Sequence, residues 1–344
     1  MVYLVCFILS IVMFLWVIVR SDSFRINQIM LIVVTMVGNG GYYALSTSTC
    51  LEKAILANNL TYLIGIFSPM LLLLNICEVC RFRLPHRLVA AMYSIQMLLY
   101  LCVCTTGKYE IFYKTVQFNM DEKGVYLTKT YGPMHTVYLI MMFLFLVAGI
   151  CVSIYSSKKR NIVSFKNVDL MVFVIIAVVV TYAIQRLLHL TVELMPIVFT
   201  LGIVVIFVPI TKIRSFSVDG NKEIISEKLE KSGYIVFTKK LCYMGCNKTA
   251  AELFPELEKW ELEKKVPRSG GRFNTFLRQP LMQYINSNLK EPLKGKSFVI
   301  KEKSFGFSIR CLNSGKRHIG YIIELIDITD LLDNQTDCNA EMVK

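Results

Sequence analysis

Three ionisable side chains, Arg186, His189 and Glu193, interrupt an otherwise apolar stretch. Their spacings of three, four and seven place them on one helical face, if the helix runs that far. A cation, an imidazole and a carboxylate in apolar surroundings mark a functional site by default, suited to binding a polar ligand or to pairing charge inside a bundle. Their place at one end of the apolar run supplies a second reading, in which they snorkel to the water boundary along their own stems.

Little else offers bond-making chemistry. The four histidines are His86, His135, His189 and His318. Cys77 and Cys80 form a lone CxxC, and Cys242 and Cys246 a wider pair. Neither has the second CxxC or the nearby histidines of a zinc site, so no metal is expected and these cysteines read as small apolar residues. Cys50 and the Cys102/Cys104 pair fall near one predicted membrane face, which leaves a disulfide open there. No paired acidic or His/Asp constellation marks a lipid-modifying enzyme.

The elements that must position these residues follow from composition. The chain has 344 residues, 54% of them hydrophobic, and a mean hydropathy of +0.51, values of a membrane protein. The net charge of +13 is shared almost evenly between residues 1–210 and 211–344. In the first part the basic residues sit in loops. In the second they mix with acidic ones, as on a solvated surface near an anionic leaflet, so membrane lipid rather than nucleic acid is the expected partner. Seven apolar runs have the length or near-length of a bilayer span: Val2–Val19, Ile29–Ala44, Ile55–Leu74, Leu88–Cys104, Met134–Tyr155, Leu170–Leu190 and Leu194–Ile210. The first lacks a charged n-region and a cleavage site, so it reads as a retained helix. The last two form a tight hairpin around Thr191–Glu193.

One set of loops carries Arg20 and Arg25, then Arg81, Arg83 and Arg87, then Lys158, Lys159, Arg160 and Lys166. The positive-inside rule makes that side cytoplasmic. The N-terminus is then outside and everything after Ile210 inside the cell, with Lys212 and Arg214 in agreement. The long outer loop, about Thr105–Lys129, mixes Tyr109, Phe112, Tyr113, Phe118 and Tyr126 with charges. It reads as a loop that caps the bundle or touches a ligand.

Residues 211–232 form a linker. Ile225/Leu229 and Glu227/Lys231 are i, i+4 pairs, which predicts one short amphipathic helix with Gly233 as its stop; a passive spacer is the alternative. Residues 233–330 alternate differently. Tyr234–Thr238 and Leu241–Gly245 read as strands, Asn247 as the N-cap of a helix, and Phe273–Leu289 as helix. Ser297–Lys301, Gly306–Leu312 and His318–Asp327 read as three closing strands, with a hairpin at Asn313-Ser-Gly315. Residues 331–344 are a short tail. The expected fold is a membrane all-α seven-helix bundle plus a cytosolic α+β domain, an antiparallel sheet with helices on one side.

The order strand, turn, strand, Asn247-headed helix with the paired Ala250 and Ala251, and a last strand running into Asp327-Ile328-Thr329, resembles a PAS domain. The membrane part resembles the seven-helix N-terminal region of bacterial sensor histidine kinases and related diguanylate cyclases. Tyr131-Gly132-Pro133 before the fifth helix, and a seventh helix with a Pro near its start and a basic exit, carry that resemblance. It implies a multi-pass membrane signal sensor and relay of two-component type. Its unknown extracellular or intramembrane ligand would fall to Tyr131, Gly132, Pro133, Arg186, His189 and Glu193, with Arg186 pairing charge and Gly132-Pro133 fixing a turn. Asn247, Ala250, Ala251, Asp327 and Thr329 would be structural in the PAS part.

Relatives of that kind continue into an output domain. Up to residue 344 there is no H-E-x-x-x-P box, no Gly-rich ATP-binding box and no GGDEF run. The expectation is therefore input and relay without catalysis in this chain. A homodimer, or a separate kinase or cyclase partner, is left open. Residues 190–317 contain no histidine for haem. Gly271–Pro280 resembles a flavin photosensor motif but holds Asn274 at its cysteine position. No cofactor is expected, and the PAS core is either filled or holds a small ligand. A transporter or channel is the rival function, though no ladder of buried charge, inverted repeat or broken helix pair supports it. A G-protein-coupled receptor lacks its motifs in NICEVCRFR and in the seventh helix.

Overall fold

The computed structural model describes residues 1–19, 24–121, 124–158, 164–188, 193–216, 232–287, 292–294, 297–300, 302–314 and 317–329. The chain divides into two compact units. One comprises Met1–Lys158 and Phe165–Thr211, the other Lys159–Ser164 and Lys212–Lys344.

The first unit is a helical bundle of α1 (Val2–Val19), α2 (Ile26–Ser46), α3 (Leu51–Val79), α4 (His86–Cys104), α5 (Pro133–Ser157), α6 (Phe165–Leu187) and, as far as Thr211, α7 (Met195–Ser215). Six of these helices are long and apolar enough to cross a membrane, and α7 carries a shorter apolar stretch, Met195–Phe207. A helix rises 1.5 Å per residue, so each long run matches the ~30 Å hydrocarbon core. Exposed apolar side chains on α1, α4 and α5 are what lipid-facing surfaces require, since no water competes there. Helix α3 is the centre of the bundle, apolar on all sides and largely buried, and it packs against α2, α4, α5 and α6.

Small residues set the closest approach in this unit. A Cβ added at Gly38 would fall 2.3 Å from Ile64 Cγ1, and one at Gly41 would fall 2.8 Å from Thr61 N and 2.9 Å from Ala57 O. Helices in lipid associate through such close backbone contact rather than through the hydrophobic effect. Gly41→Leu should therefore push α2 off α3 at a cost of about 1–3 kcal/mol, read as a lower melting temperature of the detergent-solubilised chain. An unchanged melting temperature would show that the contact does not set the spacing. Beside this seam Asn39, fully buried, donates from Nδ2 to Thr200 Oγ1 at 2.9 Å and Ser10 Oγ at 3.1 Å, tying α1, α2 and α7 together.

The segment read from sequence as a loop is a β-hairpin. Strands β1 (Tyr113–Asp121) and β2 (Gly124–Tyr131) pair antiparallel with Asp121 opposite Gly124, so only residues 122–123 separate them. Its sequence is dense in Tyr, Phe, Thr and Val, the residues that favour a pleated surface. The charges interleaved with them masked that signal.

The second unit contains β3 (Gly233–Thr238), β4 (Tyr243–Cys246), α8 (Lys248–Leu253), a 3-10 turn at Pro255–Lys259, α9 (Gly271–Phe276), α10 (Arg278–Asn286), β5 (Leu293–Lys294), β6 (Phe298–Ile300), β7 (Lys303–Ser314) and β8 (Arg317–Asp327). The sheet runs in the order β4-β3-β8-β7-β5, with β6 also on β7, and every pairing is antiparallel. Alternation sends Ile235, Phe237, Phe307, Ile309, Ile323 and Leu325 to one face, where they bury against Phe254, Phe273, Leu281 and Tyr284 from the helical segment. Val236, Leu312 and Ile322 lie on the opposite face.

Several boundaries differ from those read in sequence. The second strand starts at Tyr243 because Leu241 adopts a left-handed backbone, φ 56°, in the preceding turn. The helix expected over Phe273–Leu289 is two helices broken at Leu277, and Leu289 lies outside the described residues. The linker helix expected from Ile224, Ile225 and Leu229, and the tail 331–344, also lie outside them.

Asn247 caps α8 as its residue type predicts, and it does more. Its Oδ1 accepts from Ala250 N–H and from Tyr234 N–H, both at 3.0 Å, while Nδ2 donates to Ser232 O at 2.7 Å. One side chain thus joins the helix start to the first strand. Ala250 is fully buried and Ala251 is half-buried. At the far end Asp327 Oδ1 accepts from the Thr329 hydroxyl at 2.6 Å and its N–H at 3.1 Å, and Thr329 Oγ1 accepts from Ser304 N–H at 3.0 Å. These bonds, chiefly that of the Thr329 hydroxyl, hold the Asp327 carboxyl below the ordinary carboxylate range.

Candidate ligand-binding cavity

A cavity of about 580 Å³ opens within the first unit, between β2 and the ends of α1, α2, α3, α5, α6 and α7. Its volume lies in the range of small-molecule sites. The wall combines tyrosine rings with Met142, Met195 and Phe199, and sets Lys129, Arg186 and Glu193 among them.

Strand β2 positions two of the polar groups. Lys129 reaches inward and donates from Nζ to Asn58 Oδ1 at 2.6 Å, with the rings of Tyr113 and Tyr62 centred 5.5 and 5.9 Å away. Tyr113 and Tyr62 share a hydrogen bond through their hydroxyls. Asn58 is 1% exposed and its Nδ2 has no hydrogen-bond partner among the described residues. Tyr131, two residues on, stacks on His135 of α5 at 3.9 Å between ring centroids. It also lies against the Arg186 guanidinium, 5.1 Å from the ring centroid, and the Tyr113 ring, 5.9 Å between centroids.

Gly132 fixes where this stack begins. Its N–H donates to Phe112 O at 2.8 Å, and an added Cβ would sit 2.5 Å from Ile111 O. Only glycine tolerates that approach. Pro133 follows as the first residue of α5, where its missing N–H costs nothing and its fixed φ suits the helix. Gly132 and Pro133 therefore hold the wall in place from behind.

Of the ionisable residues expected to share one helical face, Arg186 and Glu193 do not. Helix α6 ends at Leu187, so Glu193 reaches the cavity from the segment before α7, and His189 lies outside the described residues. Gln185 closes that segment, donating from Nε2 to Glu193 Oε2 and accepting from Leu194 N–H at 3.3 Å. Glu193 N–H donates to Tyr3 Oη at 2.9 Å. Among the described residues neither Arg186 nor Lys129 has a carboxylate within 4 Å; Arg186 instead lies against the Tyr131 and Tyr182 rings and donates from Nε to Tyr182 Oη at 3.3 Å. Cation–π contact is worth most where water is excluded.

Sequence reading thus found Tyr131, Arg186 and Glu193, and missed Lys129, Asn58, Gln185, Tyr62 and His135. A polar Asn58-Asn59 pair within an apolar run was the one local signal for Asn58. Among the described residues no group of three His, Cys, Asp or Glu is placed to hold a metal, and Cys50, Cys102 and Cys104 are free thiols rather than a disulfide.

Burial is the main reason the Lys129 amine is pushed down to about 8; Glu193 opposes the shift and Arg186 adds to it. Below that pH the amine is charged in both folded and unfolded chains and the penalty is fully present. Between about 8 and the ordinary lysine value near 10.4 the unfolded chain binds more protons, so stability should rise with pH. Melting temperatures across that window should rise less in Lys129→Met than in the parent; parallel curves would place the amine in water.

A family model described as the N-terminal 7TM region of histidine kinase matches residues 2–218. No curated protein matches the chain.

Proposed function

The chain belongs to the family of histidine-kinase N-terminal 7TM regions, and from that premise we propose that it is a membrane signal sensor whose ligand enters the cavity beneath the β1–β2 hairpin. Membrane-capable helices and the family together make the first unit a membrane signalling input region. The observation that carries the finer reading is that the cavity wall includes Glu193, Met195 and Phe199, at and just before the start of α7. A ligand shifts a conformational equilibrium only by its differential affinity for the two states. One that grips this wall differently in two positions of α7 would bias the helix that leads towards the second unit.

In this reading α7 is the seventh span, the N-terminus and hairpin face outward, and the second unit is cytosolic. The second unit acts as a PAS domain. Its antiparallel sheet with helices packed on one face, the Asn247 cap and the Asp327-Thr329 closure support that assignment. Its aromatic core serves as a packed relay without a cofactor, and catalytic output comes from a kinase or cyclase module rather than from residues 1–344.

The test is hydrogen exchange on the full chain in nanodiscs, challenged with fractionated small-molecule extracts. A fraction that protects residues 113–131 should also change exchange in residues 233–327. Protection of the hairpin with no response in the second unit, together with solute flux into proteoliposomes, would establish the transporter reading instead.

A further inference from the structure

Among the described residues that line this cavity, one buried side-chain donor, Asn58 Nδ2, has no hydrogen-bond partner. Asn58 is buried and its amide orientation is settled chemically: Lys129 has only donors, so the atom 2.6 Å from it is the carbonyl oxygen, and Nδ2 has no hydrogen-bond partner among the described residues. An unpaired buried amide donor is costly to retain. Among the described residues Lys129 and Arg186 have no carboxylate within 4 Å, and two cations lining one cavity repel each other. Glu193, the carboxylate among the described lining residues, has Oε2 held by Gln185. The remaining wall is aromatic and thioether surface from the tyrosines, Phe199 and Met142.

Resting on the reading of this cavity as the sensor's ligand site, we propose that it takes a small amphipathic anion. The carboxylate or phosphate lies between Lys129, Arg186 and Asn58 Nδ2, and the apolar or aromatic body lies against the tyrosines and Met142. The anion satisfies the orphan donor and relieves the repulsion between the cations. Charge-assisted hydrogen bonds of this kind are the strong ones, and in a partly dry cavity they gain further. Arg186, flat against Tyr131 and Tyr182, is pre-organised to present its guanidinium edge.

The full chain in phosphatidylcholine nanodiscs should bind phenylacetate and phenyl phosphate, followed by calorimetry and thermal shift. Neutral phenylacetamide and cationic phenethylamine should not bind. Lys129→Met and Arg186→Gln should each weaken phenylacetate roughly ten- to hundredfold. Arg186→Lys, which keeps the charge but loses the stacked planar fork, should weaken it less than Arg186→Gln does. Phosphatidylglycerol in the disc that competes with phenylacetate would assign the anion to a lipid headgroup; no competition assigns it to a soluble ligand. Binding of the amide as tight as that of the acid, preference for the amine, or no binding by either acid at millimolar concentration overturns the assignment. The sensor reading fails separately. Anion binding that leaves exchange in residues 233–327 unchanged sinks the relay and keeps the anion site. A response driven by the neutral or cationic probe keeps the relay and sinks the anion.

Discussion

Replacing Asn247 with alanine should destabilise the second unit by about 2–4 kcal/mol. The loss of the cap contributes about 1 kcal/mol. The rest comes from Tyr234 N–H and Ser232 O, which lose their bonds to the same side chain at the edge of the core. For a unit of this size each kcal/mol lowers the melting temperature by roughly 4–8 °C. Asn247→Asp keeps the two acceptor bonds and loses only the donor to Ser232 O, so it should keep more than half of the stability. Exchange of the β3 and α8 amides in the full chain reads both variants. Equal protection in Asn247→Ala and the parent would mean that water replaces all three bonds without loss.

Replacing Gly132 with valine should undock the β1–β2 hairpin from α5 and abolish binding in the cavity. The obstruction is backbone, Ile111 O at 2.5 Å and Glu110 O at 2.9 Å, so no rotamer relieves it. The hairpin base must move, and with it the bonds from Gly132 N–H to Phe112 O and from Met134 N–H to Ile111 O. Overpacking of this kind costs about 1–3 kcal/mol. The functional effect should exceed that figure, because Tyr131 next door carries both the His135 stack and the Arg186 contact. Exchange over residues 113–131 should accelerate while α3 stays protected. Pro133→Ala is the control: it leaves the close approach intact and should cost well under 1 kcal/mol. A Gly132→Val hairpin as protected as the parent would refute the docking role.

The sequence-readable parts of this protein are those whose cause is local. A span needs about 20 apolar residues in a row, and Val2–Val19 or Pro133–Ser157 announce themselves by composition alone. Asn247 is legible as a cap because the bond it makes is to a backbone group three residues on. Pro133 is legible as a helix start because its fixed φ and missing N–H suit the first helical position, whereas Gly132 is extended rather than a turn residue, and its need for glycine comes from the Ile111 backbone. The alternating apolar residues of β3, β7 and β8 likewise predict which face is buried.

The cavity had no such signature. Lys129 meets Asn58 across 71 residues of sequence, and Asn39 meets Thr200 across 161. Arg186 looked like one member of an ion pair because its neighbours in sequence include a carboxylate. Helix α6 ends before that carboxylate, and Arg186 turns to two tyrosines, one supplied by a hairpin that read as a loop. Chain order alone determined seven apolar runs, a membrane class, a break near residue 210 and a capped α+β segment. The tertiary structure decided which polar groups share a space and which remain unpaired, because a side chain's electrostatic partners depend on where distant backbones pack, and that packing turns on single close approaches such as Gly38 on Ile64 and Gly132 on Ile111.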